Sequence, residues 1–219
     1  MQKILIVTAL ALLGTCSSAR GLSGVQLGLM GGYASGLSGE AFVIAPNVAG
    51  PIGVKASVAL TRPSDNIVDS ADIGGGLGTF TSAKKTLGAS ESGSRTTLGL
   101  DGTYSLGEVL PGVSAVAYAG GRYGMFKATE SYAISNSSTT YKMNSFGIGA
   151  GAMLSYALAG NISLVGDLGV DEYFNTTIGV SGSAKDSIGT GDKTYSTVRN
   201  RLAFPNTVFK ARIGVKIDY

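Results

Sequence analysis

The sequence contains no histidine and no tryptophan, and its one cysteine, Cys16, lies near the N-terminus. Lack of histidine removes the commonest general acid and base at neutral pH. A lone cysteine excludes a disulfide framework. Charged residues make up only 14% of the chain, which is low for a soluble domain. Mean hydropathy is nevertheless positive, at +0.25. Beyond the N-terminal region no stretch is long and apolar enough for a transmembrane helix. The apolar residues must therefore be distributed rather than concentrated.

The N-terminus reads as an export signal. Lys3 is a short positive region, and Ile4 to Leu13 is an apolar run too brief to span a bilayer. Ser17, Ser18 and Ala19 are small residues suited to a signal peptidase, so cleavage is expected after Ala19. Leu13-Gly14-Thr15-Cys16 hints at a lipoprotein box, but Thr15 is a poor residue before the cysteine, and the plain signal is the expectation. Cleavage would remove Cys16 and leave no thiol. It would also take Lys3 from the 17 basic residues and nothing from the 14 acidic ones, leaving a net charge of +2. That balance argues against nucleic acid as a partner. The division expected is residues 1–19 as signal peptide and 20–219 as one domain.

What the chain has in quantity is alternation. From Thr207 onward the odd positions Phe209, Ala211, Ile213, Val215, Ile217 and Tyr219 are apolar or aromatic. The even positions include Lys210, Arg212, Lys216 and Asp218. Period two means a strand with two unlike faces. The same pattern predicts seven earlier strands: Val25–Tyr33, Gly39–Ala45, Ile52–Thr61, Thr96–Leu106, Val113–Phe126, Ser145–Leu158 and Ile162–Tyr173. The second strand has weak contrast, because Phe42 and Ile44 share the face of Glu40. The fifth places Tyr118 and Phe126 on the inner face if Arg122 points in. The 34 glycines suit a narrow barrel, where they permit curvature and make room for lumen side chains.

The connections alternate in length. Pro46–Pro51, Gly107–Gly112 and Ala159–Asn161 are short, as is Ala34–Ser38. Arg62–Arg95, Lys127–Asn144 and Phe174–Pro205 are long, polar, and expected to be exposed and partly mobile. Short turns on one side and long loops on the other match outer-membrane barrels, with the short turns periplasmic. The fold class expected is all-β: an eight-stranded antiparallel up-and-down transmembrane β-barrel with short periplasmic turns and long extracellular loops. A soluble secreted β-sandwich is the alternative, since its strands also alternate.

This layout, closed by ARIGVKIDY with Tyr219 last, resembles the small eight-stranded outer-membrane barrels, the OmpA/OmpX-like and porin-like transmembrane family. The resemblance implies a monomer in a bacterial outer membrane, surrounded by outer-membrane lipid, with no cofactor. It implies that the barrel-assembly machinery reads the terminal aromatic, which makes Tyr219 an assembly signal. It also implies a role in envelope integrity or surface interaction, with an unidentified extracellular ligand for the loops. A periplasmic peptidoglycan-binding domain is not expected after the last strand, so cell-wall tethering does not carry over. Barrels of this kind that act as lipases, acyltransferases or proteases use histidine, and this sequence has none.

The predicted register sends ten charges inward: Glu40, Asp101, Asp167, Asp171 and Asp218 against Lys55, Arg122, Lys210, Arg212 and Lys216. Charges in so narrow a lumen must be paired or hydrated. They form either a salt-bridged plug or a gated polar path for small solutes or ions. Asp167 and Asp171 share one strand face, but a catalytic pair would also need a substrate pocket. Tyr33 and Tyr123 on the loop side, and Tyr104, Tyr156 and Tyr219 on the turn side, form two interfacial girdles. The alternative for these tyrosines is a carbohydrate platform. Asp65, Asp69 and Asp72 are a weak calcium pattern without EF-hand spacing, and no metal is expected. Gly74 to Gly78 lacks the Lys-Ser/Thr ending of a phosphate loop. Asn136, Asn161 and Asn175 begin Asn-x-Ser/Thr triplets that have no meaning in a bacterium.

Overall fold

The computed structural model describes residues 24–73, 78–182 and 186–219. The predicted signal peptide with Cys16, and residues 74–77 of the glycine run, lie outside the described residues. The strands are β1 (Gln26–Ala34), β2 (Leu37–Ala49), β3 (Ile52–Arg62), β4 (Ala89–Leu110), β5 (Val113–Tyr132), β6 (Ser137–Ala159), β7 (Ile162–Tyr173), β8 (Ile178–Gly182), β9 (Asp186–Ile188) and β10 (Thr207–Asp218). Two short helices, α1 (Phe80–Thr86) and α2 (Tyr195–Arg201), lie in the connections.

Eight strands form a closed antiparallel ring. β5, β4, β3, β2, β1, β10, β7 and β6 are neighbours in that order, and β5 pairs with β6 to close it. The ends of the chain meet in this ring, where Gln26 lies opposite Asp218 and Ala34 opposite Lys210. Closure removes the free edges that a sandwich would keep, so the sandwich alternative is excluded. Around the outside the apolar faces are bare: Leu29, Leu60, Leu100, Ile148, Leu168 and Ile213 are all exposed.

At one end the turns are two residues long. Gly50-Pro51, Pro111-Gly112 and Gly160-Asn161 join their strands, and each glycine has positive φ, at 61°, 77° and 56°. Only glycine adopts that conformation without strain. The strands therefore run further than the predicted Pro46–Pro51 and Gly107–Gly112 turns allowed.

The loop end differs most from expectation. The predicted loop Lys127–Asn144 is mostly strand, with β5 and β6 paired up to Tyr132 and Ser137. β4 likewise begins at Ala89, so the upper part of the predicted first loop is paired with β5. The third loop holds β8, which pairs with β6 above the point where β7 leaves it, and β9 extends that sheet. These segments are not loose. Ile67, Phe80, Ala83, Phe126, Ala128, Tyr141, Met143, Ile178, Tyr195, Leu202 and Phe204 belong to one buried cluster that caps the barrel.

Alternation failed to predict this cap because the amphipathic sense reverses above the ring. Lower down, the outer positions are apolar and the inner ones polar. In the cap, Lys127, Thr129, Thr140 and Lys142 face out, while Phe126, Ala128, Tyr141 and Met143 are buried inside. A strand above the hydrocarbon layer needs no apolar outer face, so the greasy face turns inward.

The lumen also holds an apolar layer. Met30, Phe42, Ile44, Tyr118, Met153 and Val165 form a second buried cluster. The poor contrast of the second strand is thereby explained, since Phe42 and Ile44 are lumen fillers. A Cβ on Gly28 would overlap the Phe42 ring, so that glycine is what admits the phenyl group.

The lumen charge network as candidate functional site

Each strand of the ring sends every second side chain inward, and the register brings the charges to the same height. Lys55 on β3 lies opposite Asp101 on β4, and Arg212 on β10 opposite Asp167 on β7. Inside the lumen the contacts join adjacent strands or strands one apart in the ring. Lys55 Nζ is 2.8 Å from Glu40 Oε1, and Arg212 donates to Glu40 Oε2 and, at 3.0 Å, to Ser38 Oγ. Arg122 donates to Asp101 at 2.6 Å through one terminal nitrogen and to Asp171 at 2.8 Å through Nε. Lys210 donates to Asp171 at 2.8 Å. Arg212 lies 3.8 Å from Asp167.

Four carboxylates and four cations thus form two ion-paired groups: Glu40 and Asp167 with Lys55 and Arg212, and Asp101 and Asp171 with Arg122 and Lys210. All eight are buried. Tyr118 stands among them. Its hydroxyl donates to Asp167 at 2.7 Å, and its ring centroid is 4.7 Å from Lys55 Nζ and 5.5 Å from Lys210 Nζ. The ring face offers both ammoniums cation–π attraction where solvent is scarce. Gly151 and Gly169 give the phenol its space, since a Cβ on either would collide with the hydroxyl.

The other two predicted members lie apart. Lys216 and Asp218 pair with each other at 3.5 Å, and the Asp218 side chain is partly exposed. They line a polar cavity of about 400 Å³ at the turn end, with Glu108, Ser114, Ser155 and Ser163. Asp167 and Asp171 do share a face, but Tyr118 donates to Asp167 Oδ1, Arg122 and Lys210 both donate to Asp171 Oδ1, and Arg212 lies 3.8 Å from Asp167 Oδ2.

Arg95 was missed at the sequence level because it was placed in the first long loop. The alternation Arg95, Thr97, Gly99, Asp101 was the available signal. It is buried on β4, donates to the Ala34 carbonyl at 3.2 Å and lies 5.4 Å from the Phe126 ring.

The cap has its own acidic residues, which the sequence did not single out. Glu91 and Glu130 lie directly opposite each other on β4 and β5. Like charges so placed repel, and each is given separate partners. Glu91 accepts the backbone N–H groups of Asn66 and Ile67 at 2.7 Å, and Lys84 on α1 at 2.7 Å. Glu130 accepts the Tyr141 hydroxyl at 2.9 Å and the Arg201 guanidinium on α2. Each acid therefore fastens one long connection to the extended hairpin. Burial acts to raise the Glu91 carboxyl, but the Lys84 ammonium and the two N–H groups hold it below its ordinary value. Hydrogen bonds to Asp69 and Glu91 raise Lys84 well above its own. Asp69 is thus part of an ion pair with Lys84, at 2.6 Å. Among the described residues, no group of three or more acidic, cysteine or histidine side chains could hold a metal ion.

The tyrosines are exposed on the outer surface, with one qualification. Tyr33 is at the loop end of β1, and Tyr104, Tyr156 and Tyr219 are towards the turn end. Tyr123 is half-buried against Phe146, with centroids 5.1 Å apart. It is not at a strand end, because β5 continues to Tyr132; it marks the upper part of the apolar band instead.

No protein-family model and no curated protein matches the chain. Among solved structures, a major outer membrane protein from Thermus thermophilus is 31% identical with a TM-score of 0.83, over 89% of this chain and 98% of that one. Neisserial surface protein A (14% identical, TM-score 0.44, 89% and 96% covered) and Ail, the attachment invasion locus protein of Yersinia pestis (15%, 0.46, 90% and 99%), are much looser likenesses. With the closed ring, the bare apolar belt and the extended match to the Thermus protein together, the chain belongs to the family of small eight-stranded bacterial outer-membrane β-barrels.

Proposed function

We propose that the protein is a closed, non-enzymatic barrel that contributes to the integrity of the outer membrane and presents a folded cap for surface interaction. The observation that carries this reading is the set of four acids and four bases buried and paired inside the lumen. Paired charges over an apolar layer leave little reason for ions to enter. The cap supports the second half, because a fixed surface loses less entropy on binding than mobile loops.

The same reading takes residues 1–19 as a cleaved signal peptide and the mature chain as a monomer. It takes Tyr219 as the residue the barrel-assembly machinery engages, and an extracellular molecule as the ligand of the cap. Planar-bilayer recording tests the closed lumen. Purified protein is expected to give no conductance steps, and Arg212→Ala is expected to lower thermal stability without opening a path. Steady conductance from the unaltered protein would replace this reading with a narrow channel.

A further inference from the structure

The outer face carries an unbalanced charge where the apolar belt ends. Lys127 on β5 and Lys142 on β6 are directly opposite each other in register. Both are exposed and both point away from the lumen. Opposed like charges on one face destabilise a strand pair. At Glu91 and Glu130 the fold answers that cost with separate counter-charges, but here it does not. Among the described residues neither lysine has an ion pair or hydrogen bond. Their cross-strand neighbours are Ser94 on β4 and Gly179 on β8. Thr129 and Thr140 lie on the rung beyond, and Met125 and Asn144 on the rung before. None of these is acidic.

Height decides what the pair meets. Leu98, Tyr123 and Phe146 form an apolar rung across β4, β5 and β6. Thr96, Met125 and Asn144 follow, and Ser94, Lys127 and Lys142 come next. Two rungs span roughly 14 Å along the strands, or about 10 Å along the membrane normal at the usual tilt of such barrels. The headgroup layer occupies roughly the first 5–8 Å beyond the hydrocarbon. Lysine stems can lie back along apolar surface towards that layer. The two ammoniums therefore reach the height of lipid phosphates, on the side that faces lipid.

We propose that Lys127 and Lys142 together bind the phosphate of an anionic lipid in the outer leaflet, with Ser94 and Asn144 as adjacent hydrogen-bonding groups. The phosphate supplies the counter-charge that the fold omits. The stem of Met125 and the rings of Tyr123 and Phe146 lie beneath it, where the acyl chains would run. This site goes beyond the structural reading and does not depend on whether the lumen conducts.

The test uses the full chain folded into nanodiscs of phosphatidylcholine and phosphatidylglycerol in equal parts. Native mass spectrometry after release into uncharged detergent counts the lipids retained. Unaltered protein is expected to retain phosphatidylglycerol over phosphatidylcholine. Lys127→Gln/Lys142→Gln should lose that preference by about fivefold for each lysine. Lys85→Gln, which removes an exposed lysine on α1, should keep it. Heat-shifted migration on gels verifies that each variant is folded. Equal retention by the double variant and the unaltered protein would overturn the proposal. So would inorganic phosphate binding the detergent-solubilised protein through these lysines as tightly as phosphatidylglycerol does, since the lipid would then not be the preferred source.

Discussion

Removing the Arg122 side chain is the sharpest test of a dry, closed lumen. Arg122 holds two carboxylates, at 2.6 Å to Asp101 and 2.8 Å to Asp171. Asp171 would keep Lys210 at 2.8 Å. Among the described residues Asp101 would keep no hydrogen-bonding partner for its carboxylate, and it is only 1% exposed. Breaking a buried ion pair from one side costs about 3–5 kcal/mol, because the remaining charge is stranded. The expected loss for Arg122→Met is therefore about 3–5 kcal/mol. Replacing both partners should cost far less than the single change, since a neutral pair leaves no stranded charge. Arg122→Met/Asp101→Asn is thus expected to regain about half of the loss or more, with Asp171 held by Lys210.

Urea unfolding in detergent micelles measures this, followed by circular dichroism and by heat-shifted migration. Tyrosine fluorescence is a second probe, since the chain has no tryptophan. A hydrated lumen gives a different outcome. Water would solvate Asp101, and the single change would cost roughly 0–1 kcal/mol, as for exposed pairs. A stable Arg122→Met variant, or a double variant no more stable than the single one, would refute the closed network.

Three other perturbations follow from the same geometry. Gly28→Ala should destabilise the barrel by roughly 1–3 kcal/mol through overpacking against Phe42, and Phe42→Ala in the same chain should relieve the ring's part of the clash, leaving the Val215 carbonyl 2.9 Å from the added carbon; equal stabilities for Gly28→Ala and the unaltered protein would show that the ring has room. The depressed Glu91 carboxyl contributes stability above its ordinary value of 4.5 that is lost as pH falls through the folded value, so amide exchange at Asn66 and Ile67 should quicken selectively below that pH, and Glu91→Gln should abolish the pH step. Deleting Tyr219 should slow assembly in cells while leaving purified protein able to fold in detergent, with heat-shifted migration in each setting as the measurement.

The ring was legible in the sequence because lipid imposes the alternation. Where Ile52, Val54, Ala56, Val58 and Leu60 face lipid, Lys55 and its neighbours must face in, and β3 begins where the pattern does. The lumen charges could be assigned to faces by the same rule. Their partners could not, because a period says which face a residue takes but not which inward-facing side chain on the nearby strands it reaches. Lys55 bonds to Glu40 on β2 rather than to Asp101, its partner in register on β4. Phe42 and Tyr118 were hard to place because an apolar residue inside a narrow barrel looks like a register error until the glycines opposite are known.

The cap was missed for a reason that is informative about the membrane. Hydrophobic alternation reports the medium on each side of a strand, not the strand itself. Along β5 the outward residues pass from Tyr123 and Met125 to Lys127, Thr129 and Ser131, while the inward ones pass from Arg122 to Phe126, Ala128 and Glu130. β6 makes the matching change from Phe146 to Lys142 outside and from Ser145 to Met143 inside. Both strands remain paired throughout, so no break in the sheet accompanies the change. What changes is the solvent. Two paired strands that reverse their polarity at the same rung locate the outer edge of the hydrocarbon layer between Tyr123 and Lys127. A lipid-facing charge at that rung then has no hydrocarbon to avoid, and the nearest groups able to neutralise it belong to the bilayer.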